Sequence, residues 1–364
     1  MKRLLILIIA TALLLTGCSG WLDGNYVSVT PHQEQTDNSG SDIVSVTSYN
    51  ALRRALENLV RRNKETGVIS VAHYDQLTIA KDTRTAIQRI MAENPFANYA
   101  VESIDFELGT NAGEPALAIH IQYIHGKTDP SKIQSVSNLE NLQSIITNSI
   151  CSYYSGLVIH VAQYQQIDID QLVADYCLNN PHKVIEQPQV TASFYPQEGT
   201  GERIVELKFT YQYSRDTLRE MQSQVSTVCT EIKRTVTESA PALEKYQQIF
   251  QTLQQLLGEY KQETSITPAY SFLLQSTGDS RAAATVYAAL CRQSGLECQT
   301  ITGSYNAEPW NWNILSIDGI YYYFDFLRCC QEGTFQLLAE EEMAGYVWYS
   351  SADPFPSAPE NSAE

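Results

Sequence analysis

The chain has 364 residues, a formal net charge of −17, 43% hydrophobic residues and 10% aromatic residues. That apolar share builds packed cores and excludes a wholly disordered chain, and the length allows two or three domains. The acidity repels phosphates and no Lys/Arg-rich block offsets it, so no nucleic-acid partner is expected.

Met1-Lys2-Arg3 is a short positive head, and residues 4–15 are an apolar run. The run is shorter than the roughly 20 residues of a spanning helix and suits a secretory signal. It ends in Leu15-Thr16-Gly17-Cys18, which resembles the bacterial lipoprotein processing box. The resemblance implies a signal peptide at 1–17, lipid on Cys18, and a place at the cell membrane on its extracytoplasmic face. Several acyl chains on one terminus anchor stably where one would not. Processing takes away Lys2 and Arg3, which leaves about −19, from 22 Lys and Arg against 41 Asp and Glu. Residues 18–44, rich in Ser, Asn, Asp, Gly and Gln, read as a lipidated flexible tether; 351–364, with Pro354, Pro356 and Pro359, read as a disordered tail.

The middle of the chain reads as a duplication. Val68-Ile69-Ser70-Val71-Ala72-His73-Tyr74 returns as Val158-Ile159-His160-Val161-Ala162-Gln163-Tyr164, a shift of 90. At the same shift Leu52, Leu56 and Val60 match Leu142, Ile146 and Ile150, whose i, i+4, i+8 spacing is the buried stripe of a helix. A second helix closes at Asn94-Pro95 in one copy and Asn180-Pro181 in the other. Strands are predicted over 101–108 and 116–125, then 190–195 and 204–213, joined by hairpin turns at Asn111-Ala112-Gly113 and Glu198-Gly199-Thr200-Gly201. Two α-β-α-β-β modules follow, at 45–126 and 135–214. Their histidines, His73, His120, His125, His160 and His182, share no motif.

Two long helices come next. Leu218, Met221, Val225, Val228, Ile232 and Val236 keep a three-or-four spacing, as do Leu243, Tyr246, Ile249, Leu253, Leu256 and Tyr260. Ser239-Ala240-Pro241 separates them, with proline near a helix start where its missing N–H is harmless. The first is read as a connecting helix at 215–238.

Residues 239–350 carry the motifs. After the turn Thr277-Gly278-Asp279-Ser280 a helix is predicted over 281–294, closed by Gly295. Strands are predicted over 296–303, 311–317 and 320–326, with Asp318-Gly319 as a turn. Gly295-Leu296-Glu297-Cys298, Gly303, Trp310-Asn311-Trp312-Asn313, Ile317-Asp318-Gly319 and Tyr322-Tyr323-Phe324-Asp325 follow in that order. With the lead-in Tyr270-Ser271-Phe272-Leu273-Leu274, this series resembles bacterial transglutaminase-like domains of the papain-like cysteine-protease superfamily, over about 240–330. The resemblance implies an α+β fold. It also implies a cysteine at a helix N-terminus, acidified by the helix dipole and a neighbouring His, that attacks an amide carbonyl while His relays the proton and Asp orients it.

Here Ser280 stands at the cysteine position and Trp310 at the histidine position; only Asp325 matches. A serine hydroxyl is not ionised near neutral pH and needs a base, and an indole N–H cannot accept a proton. No histidine follows His182. Losing one member of a triad costs several powers of ten in rate. The expectation is a pseudoenzyme: a non-catalytic transglutaminase-like domain that binds or scaffolds at the cell envelope, with Ser280, Trp310, Trp312, Asn313 and Asp325 as groove residues and a peptide, protein or cell-wall ligand. Asp279 or Ser280 is also expected to cap the helix, and the two tryptophans to alternate with the two asparagines across the strand. The competing readings are an active acyl transferase or hydrolase, with Ser280 as nucleophile and Asp325 or a module histidine as base, and a plain envelope spacer. Seven cysteines follow Cys18, an odd number that argues against a full disulfide framework; Cys329-Cys330 is read as two reduced structural thiols and Cys291 as core. No ligand spacing suggests zinc, and no metal or cofactor is expected.

Overall fold

The computed structural model describes residues 43–198 and 201–349. The signal peptide, Cys18, nearly all of the tether, the tail 351–364 and the Gly199-Thr200 turn lie outside the described residues.

The first module begins with a strand too short to show a pattern, β1 (Val44–Ser45), followed by α1 (Tyr49–Arg61) and β2 (Thr66–Ser70). Ser48 caps α1, and Leu52, Leu56 and Val60 are buried as their spacing predicts. β1 lies parallel to β2, Val44 opposite Ile69. α2 (Ile79–Glu93) then leads to a short extra helix, α3 (Pro95–Ala100), and to the hairpin β3 (Val101–Asn111) and β4 (Glu114–Tyr123). Asn94 ends α2 and its side chain accepts the N–H groups of Phe96 and Ala97, so the predicted stop also starts a helix. Ala112 and Gly113 both have positive φ, as a two-residue type I′ turn requires. The sheet order is β1-β2-β4-β3.

The second module repeats this plan with β5 (Gln134–Val136), α4 (Leu139–Cys151), β6 (Gly156–Tyr164), α5 (Ile169–Asn179), β7 (Gln189–Tyr195) and β8 (Gly201–Thr210), in the order β5-β6-β8-β7. Gln134 faces Ile159, the same register as Val44 and Ile69 displaced by 90. Asn180-Pro181 starts no helix here. Each module therefore opens with a strand that the predicted α-β-α-β-β order lacks, and the first carries an additional helix.

Two helices follow, α6 (Arg215–Thr235) and α7 (Ala242–Leu257), with Pro241 just before the second. β9 (Lys261–Gln262), α8 (Pro268–Gln275) and β10 (Thr277–Gly278) lead to α9 (Ser280–Gln293). The last sheet holds β11 (Cys298–Tyr305), β12 (Glu308–Ile317), β13 (Ile320–Phe324) and, after α10 (Phe326–Glu332), β14 (Tyr346–Trp348) in the order β13-β12-β11-β14. The predicted strand 320–326 is shorter than expected, because Asp325 accepts the Arg328 N–H and caps α10.

The first module has its own core, built on Leu52, Leu56, Ile69, Ile90 and Ile119, to which Ile204 of the second module adds. The core of the second module does not stop at its boundary. Leu142, Ile146 and Val173 belong to one buried cluster with Leu218 and Val225 of α6, Tyr246 and Phe250 of α7, and Tyr287 and Phe324. α9 lies along this module: Arg281 at its start donates to Gln187, and Arg292 near its end donates to the Asn179 carbonyl.

Candidate functional site

Ser280 opens α9. The parallel pairing of β9 and β10 delivers the chain to Gly278, where a Cβ would meet Ala282 at 3.0 Å and Phe272 at 3.1 Å. Asp279 is the N-cap, its carboxylate accepting the Ala282 N–H at 2.9 Å. Of the two capping candidates, then, Asp279 does the work. Ser280 itself is buried, and its Oγ accepts the backbone N–H of Asn311 at 3.1 Å.

β12 brings the other positions to the same end of the sheet. Trp310 Nε1 donates to Asp325 Oδ2 at 2.7 Å. The indole N–H thus donates to the carboxylate, and the ring offers no acceptor in return. The same Oδ2 accepts the Tyr346 hydroxyl at 2.7 Å, and Tyr346 in turn accepts from Arg328 at 3.1 Å. Burial pushes the Asp325 carboxyl above its ordinary range, opposed by the Tyr346 and Trp310 hydrogen bonds. Burial also pushes the Tyr346 phenol well up, and the neighbouring Asp325 charge adds to it. Sequence reasoning did not find Tyr346 or Arg328: they lie 21 and 3 residues beyond Asp325, in no motif.

Trp312 and Asn313 lie on opposite faces of β12, as the expected alternation requires, but neither is an outer face. Trp312 and Asn313 are both 0% exposed. The sheet is covered on both sides at this point. Asn313 faces α9 and donates to the Ala284 carbonyl at 2.9 Å. Trp312 faces Met343 and Tyr346, and crosses the backbone at Gly303, where a Cβ would clash with Val347 O at 2.1 Å and with the Trp312 ring at 2.6 Å. With Ser280 and Asp325 at 5% and 4% exposure, four of the five predicted groove residues are buried and Trp310 is half-buried. Trp310 and Asp325 bond to each other, whereas the buried Trp312 indole N–H meets no acceptor among the described residues.

None of the module histidines hydrogen-bonds to Ser280. His73, His120 and His125 are exposed. His160 lies against Ser135 at 3.0 Å and Glu202 at 2.7 Å inside its own module. His182 is held beside Lys183 and Arg292; the latter is twelve residues along α9 from Ser280, about 18 Å at the helical rise. Cys291 is fully buried and its thiol is raised well above the ordinary value by desolvation. The seven cysteines beyond Cys18 are free thiols. Among the described residues no group of acidic, His and Cys side chains could hold a metal ion, and no helix is long and apolar enough to cross a membrane.

None of the five predicted groove residues lines the cleft near the start of α9. This cleft, of about 290 Å³, runs between the second module and the first turns of α9, lined by Ile185, Glu186, Gln187, Tyr211, Arg281 and Thr285 among others. Glu186, 4% exposed, accepts the N–H groups of Gln212 at 2.5 Å and Tyr213 at 3.2 Å, which fixes one wall. Arg281, next in sequence to Ser280, is exposed on the other.

No curated protein matches the chain. Among solved structures it is similar to a TGase, at 10% identity and a TM-score of 0.24 over 62% of this chain and 66% of that one, just under two thirds. It is also similar to a candidate cysteine protease from Cytophaga hutchinsonii, at 12% identity and a TM-score of 0.25 over 44% of this chain and 71% of that one. A candidate protease from Parabacteroides distasonis aligns at 8% identity and a TM-score of 0.22, over 61% of this chain and 35% of that one. The family model for the transglutaminase-like superfamily matches residues 226–350. That segment, which contains Ser280, Trp310 and Asp325, is a transglutaminase-like domain.

Proposed function

We propose that this chain is a membrane-anchored extracytoplasmic lipoprotein whose transglutaminase-like domain is non-catalytic and serves binding or scaffolding at the cell envelope. The observation that carries the reading is the state of the three catalytic positions. Asp325 Oδ2 is already shared by Trp310 Nε1 and the Tyr346 hydroxyl, each at 2.7 Å. Ser280 Oγ accepts a backbone N–H, and no imidazole is bonded to it. An alcohol without a base does not form an acyl-enzyme at a useful rate. The aspartate instead acts as the hub of a buried polar network that fixes β12, α10 and β14. Ligand contact is assigned to the cleft between the second module and α9, where Arg281 and the amides of Gln187 and Gln212 suit a peptide or another amide-bearing ligand of the envelope.

The test is incubation of the purified protein with glutaminyl peptides and a primary amine. Neither ammonia nor cross-linked product should rise above the buffer rate, and turnover abolished by Ser280→Ala would overturn the reading. The double variant Ser280→Cys with Trp310→His should gain labelling by an electrophilic amide probe, whereas Ser280→Cys alone should stay unlabelled near neutral pH. Lipid labelling of the cell-expressed chain, lost in Cys18→Ala, tests the anchor.

A further inference from the structure

We infer that the solvent-facing side of α1 is a second membrane contact, one that docks the first module onto anionic lipid headgroups. The inference rests on the anchored reading above and adds to it a surface and a lipid class.

Five cations gather on or just after this helix: Arg53, Arg54, Arg61, Arg62 and Lys64, against Glu57 and Glu65. Averaged over a chain of net −17 they disappear; folded, Arg54 and Arg61 share a face of the helix, with Arg62 and Lys64 just beyond its end. Arg54 and Arg61 are seven residues apart and so point the same way at 100° per residue, opposite the buried Leu52 and Leu56. Arg54, Arg61, Arg62 and Lys64 are exposed. Arg53 is tied to Glu57 at 3.5 Å, and the Arg61 guanidinium lies over the Phe96 ring at 5.4 Å.

The duplicated module shows that the fold does not need this charge. α4 has the length of α1, a polar cap at the matching position (Asn138 for Ser48) and the same buried stripe. At the five positions of the cations it has Gln143, Ser144, Cys151, Ser152 and Tyr154. Residues 49–65 carry +3 and residues 139–155 carry −1. Helix electrostatics account for Arg61 and Arg62 near the C-terminal end, but not for Arg53 and Arg54, which lie outside the last turn where the dipole favours cations.

The position selects the bilayer as partner. Between Cys18 and the first described residue, Ile43, lie 24 residues, a reach of at most about 85 Å when extended. The acidic body would be repelled by an anionic bilayer, and α1 presents the opposite sign on the module that follows the anchor in the chain. Each Lys or Arg near such a surface contributes about 1 kcal/mol, or about fivefold in binding, and the attraction fades within a Debye length.

The experiment uses the chain from Ser19 onward, which lacks the lipid and retains every described residue. It is sedimented with vesicles of phosphatidylcholine containing phosphatidylglycerol, and with vesicles of phosphatidylcholine alone. Binding to the first only, reversed by added salt, is the expected result. Arg54→Gln with Arg62→Gln should weaken it by about 25-fold, whereas Lys233→Gln with Arg234→Gln, an equal loss of charge at the end of α6, should leave it unchanged. Equal binding to both vesicle types, equal weakening by the two pairs, or capture by soluble polyphosphate with none by anionic vesicles would each overturn the inference. Lack of lipid on Cys18 in the cell-expressed chain would instead remove the anchor, a separate outcome of a separate measurement.

Discussion

The two modules share strand order, register and helix spacing, yet they are used differently. The first closes around its own core and sends α3 onto the sheet of the second, where Phe96 meets His160 with ring centroids 4.8 Å apart and Tyr99 meets Tyr195 at 5.2 Å. The second has no such helix. Its Asn180-Pro181 turn adjoins the chain where α9 lies along the module, and its core runs on into α6, α7 and the transglutaminase-like domain. Duplication thus fixes a backbone plan and leaves the outer faces free: one copy became a wall of the C-terminal domain, the other an appended unit with a basic face.

The largest effect that could break this comparison is a matched pair of cavities. Leu52 and Leu142 occupy equivalent positions and both are 0% exposed. Leu52→Ala and Leu142→Ala should each cost about 2–5 kcal/mol in the module concerned. Their reach should differ. Three of the four tryptophans, Trp310, Trp312 and Trp348, lie in the C-terminal sheet, and Trp21 lies outside the described residues, so in a Trp21→Phe background tryptophan fluorescence follows that domain. Leu142→Ala should lower the midpoint of the tryptophan transition in urea, and Leu52→Ala should leave it in place while lowering an earlier far-UV circular dichroism transition. Equal shifts of the tryptophan signal would mean that the two modules unfold as one unit.

That difference in use was not legible from the repeat, although the repeat itself was. The i, i+4, i+8 spacings locate α1 and α4 because a buried stripe constrains several residues at once. The turn at Ala112-Gly113 and the motif order through Asp325 were equally readable. β1 and β5 were missed because two or three residues carry no period, and their pairing is with strands about 25 residues further on. The burial of Asn313 was hidden because its partners, the carbonyls of Ala284 and Gln299, belong to the backbone and leave no mark in composition. The network around Asp325 was half legible: Trp310 stood in the histidine position, whereas Tyr346 arrives from a short strand that only tertiary packing places there.

A smaller effect would sharpen the comparison at the junction of the modules. Lys127, in the connection between them, reaches Glu206 at 2.6 Å and Tyr195 at 3.0 Å, and lies over the rings of Tyr99 and Tyr195 at 4.7 and 4.9 Å. The ammonium is held between an aromatic ring from each copy and a carboxylate of the second. Lys127→Met keeps the apolar stem and removes the charge, and should cost about 1–2 kcal/mol. The loss should appear in the earlier transition, which belongs to the first module, as a lower midpoint at unchanged slope. No loss, or a loss confined to the tryptophan transition, would mean that this contact does not hold the first module to the second.

The last effect concerns acid and is confined to a narrow pH range. The second module buries His160 and half-buries His182, and the first leaves His73, His120 and His125 exposed. Burial, with the Lys183 and Arg292 charges adding to it, lowers His182 from 6.5 to about 4. The unfolded chain therefore takes up this proton as pH falls through 6.5, while the folded chain does not until about 4. Between those values the unfolded state holds more protons, so stability falls as pH falls, and below about 4 no further loss comes from this group. His160 is lowered for the same main reason, with Glu202 opposing it, and acts with the same sign. His182→Gln keeps a polar side chain of similar reach and removes the titration. Thermal midpoints read from tryptophan fluorescence in the Trp21→Phe background should then decline less between pH 6.5 and 4 than in the parent protein, because the second module shares its core with the domain that holds the other three tryptophans. An identical acid slope in the His182 variant and the parent would show that the imidazole is hydrated in solution and that the acid response arises elsewhere.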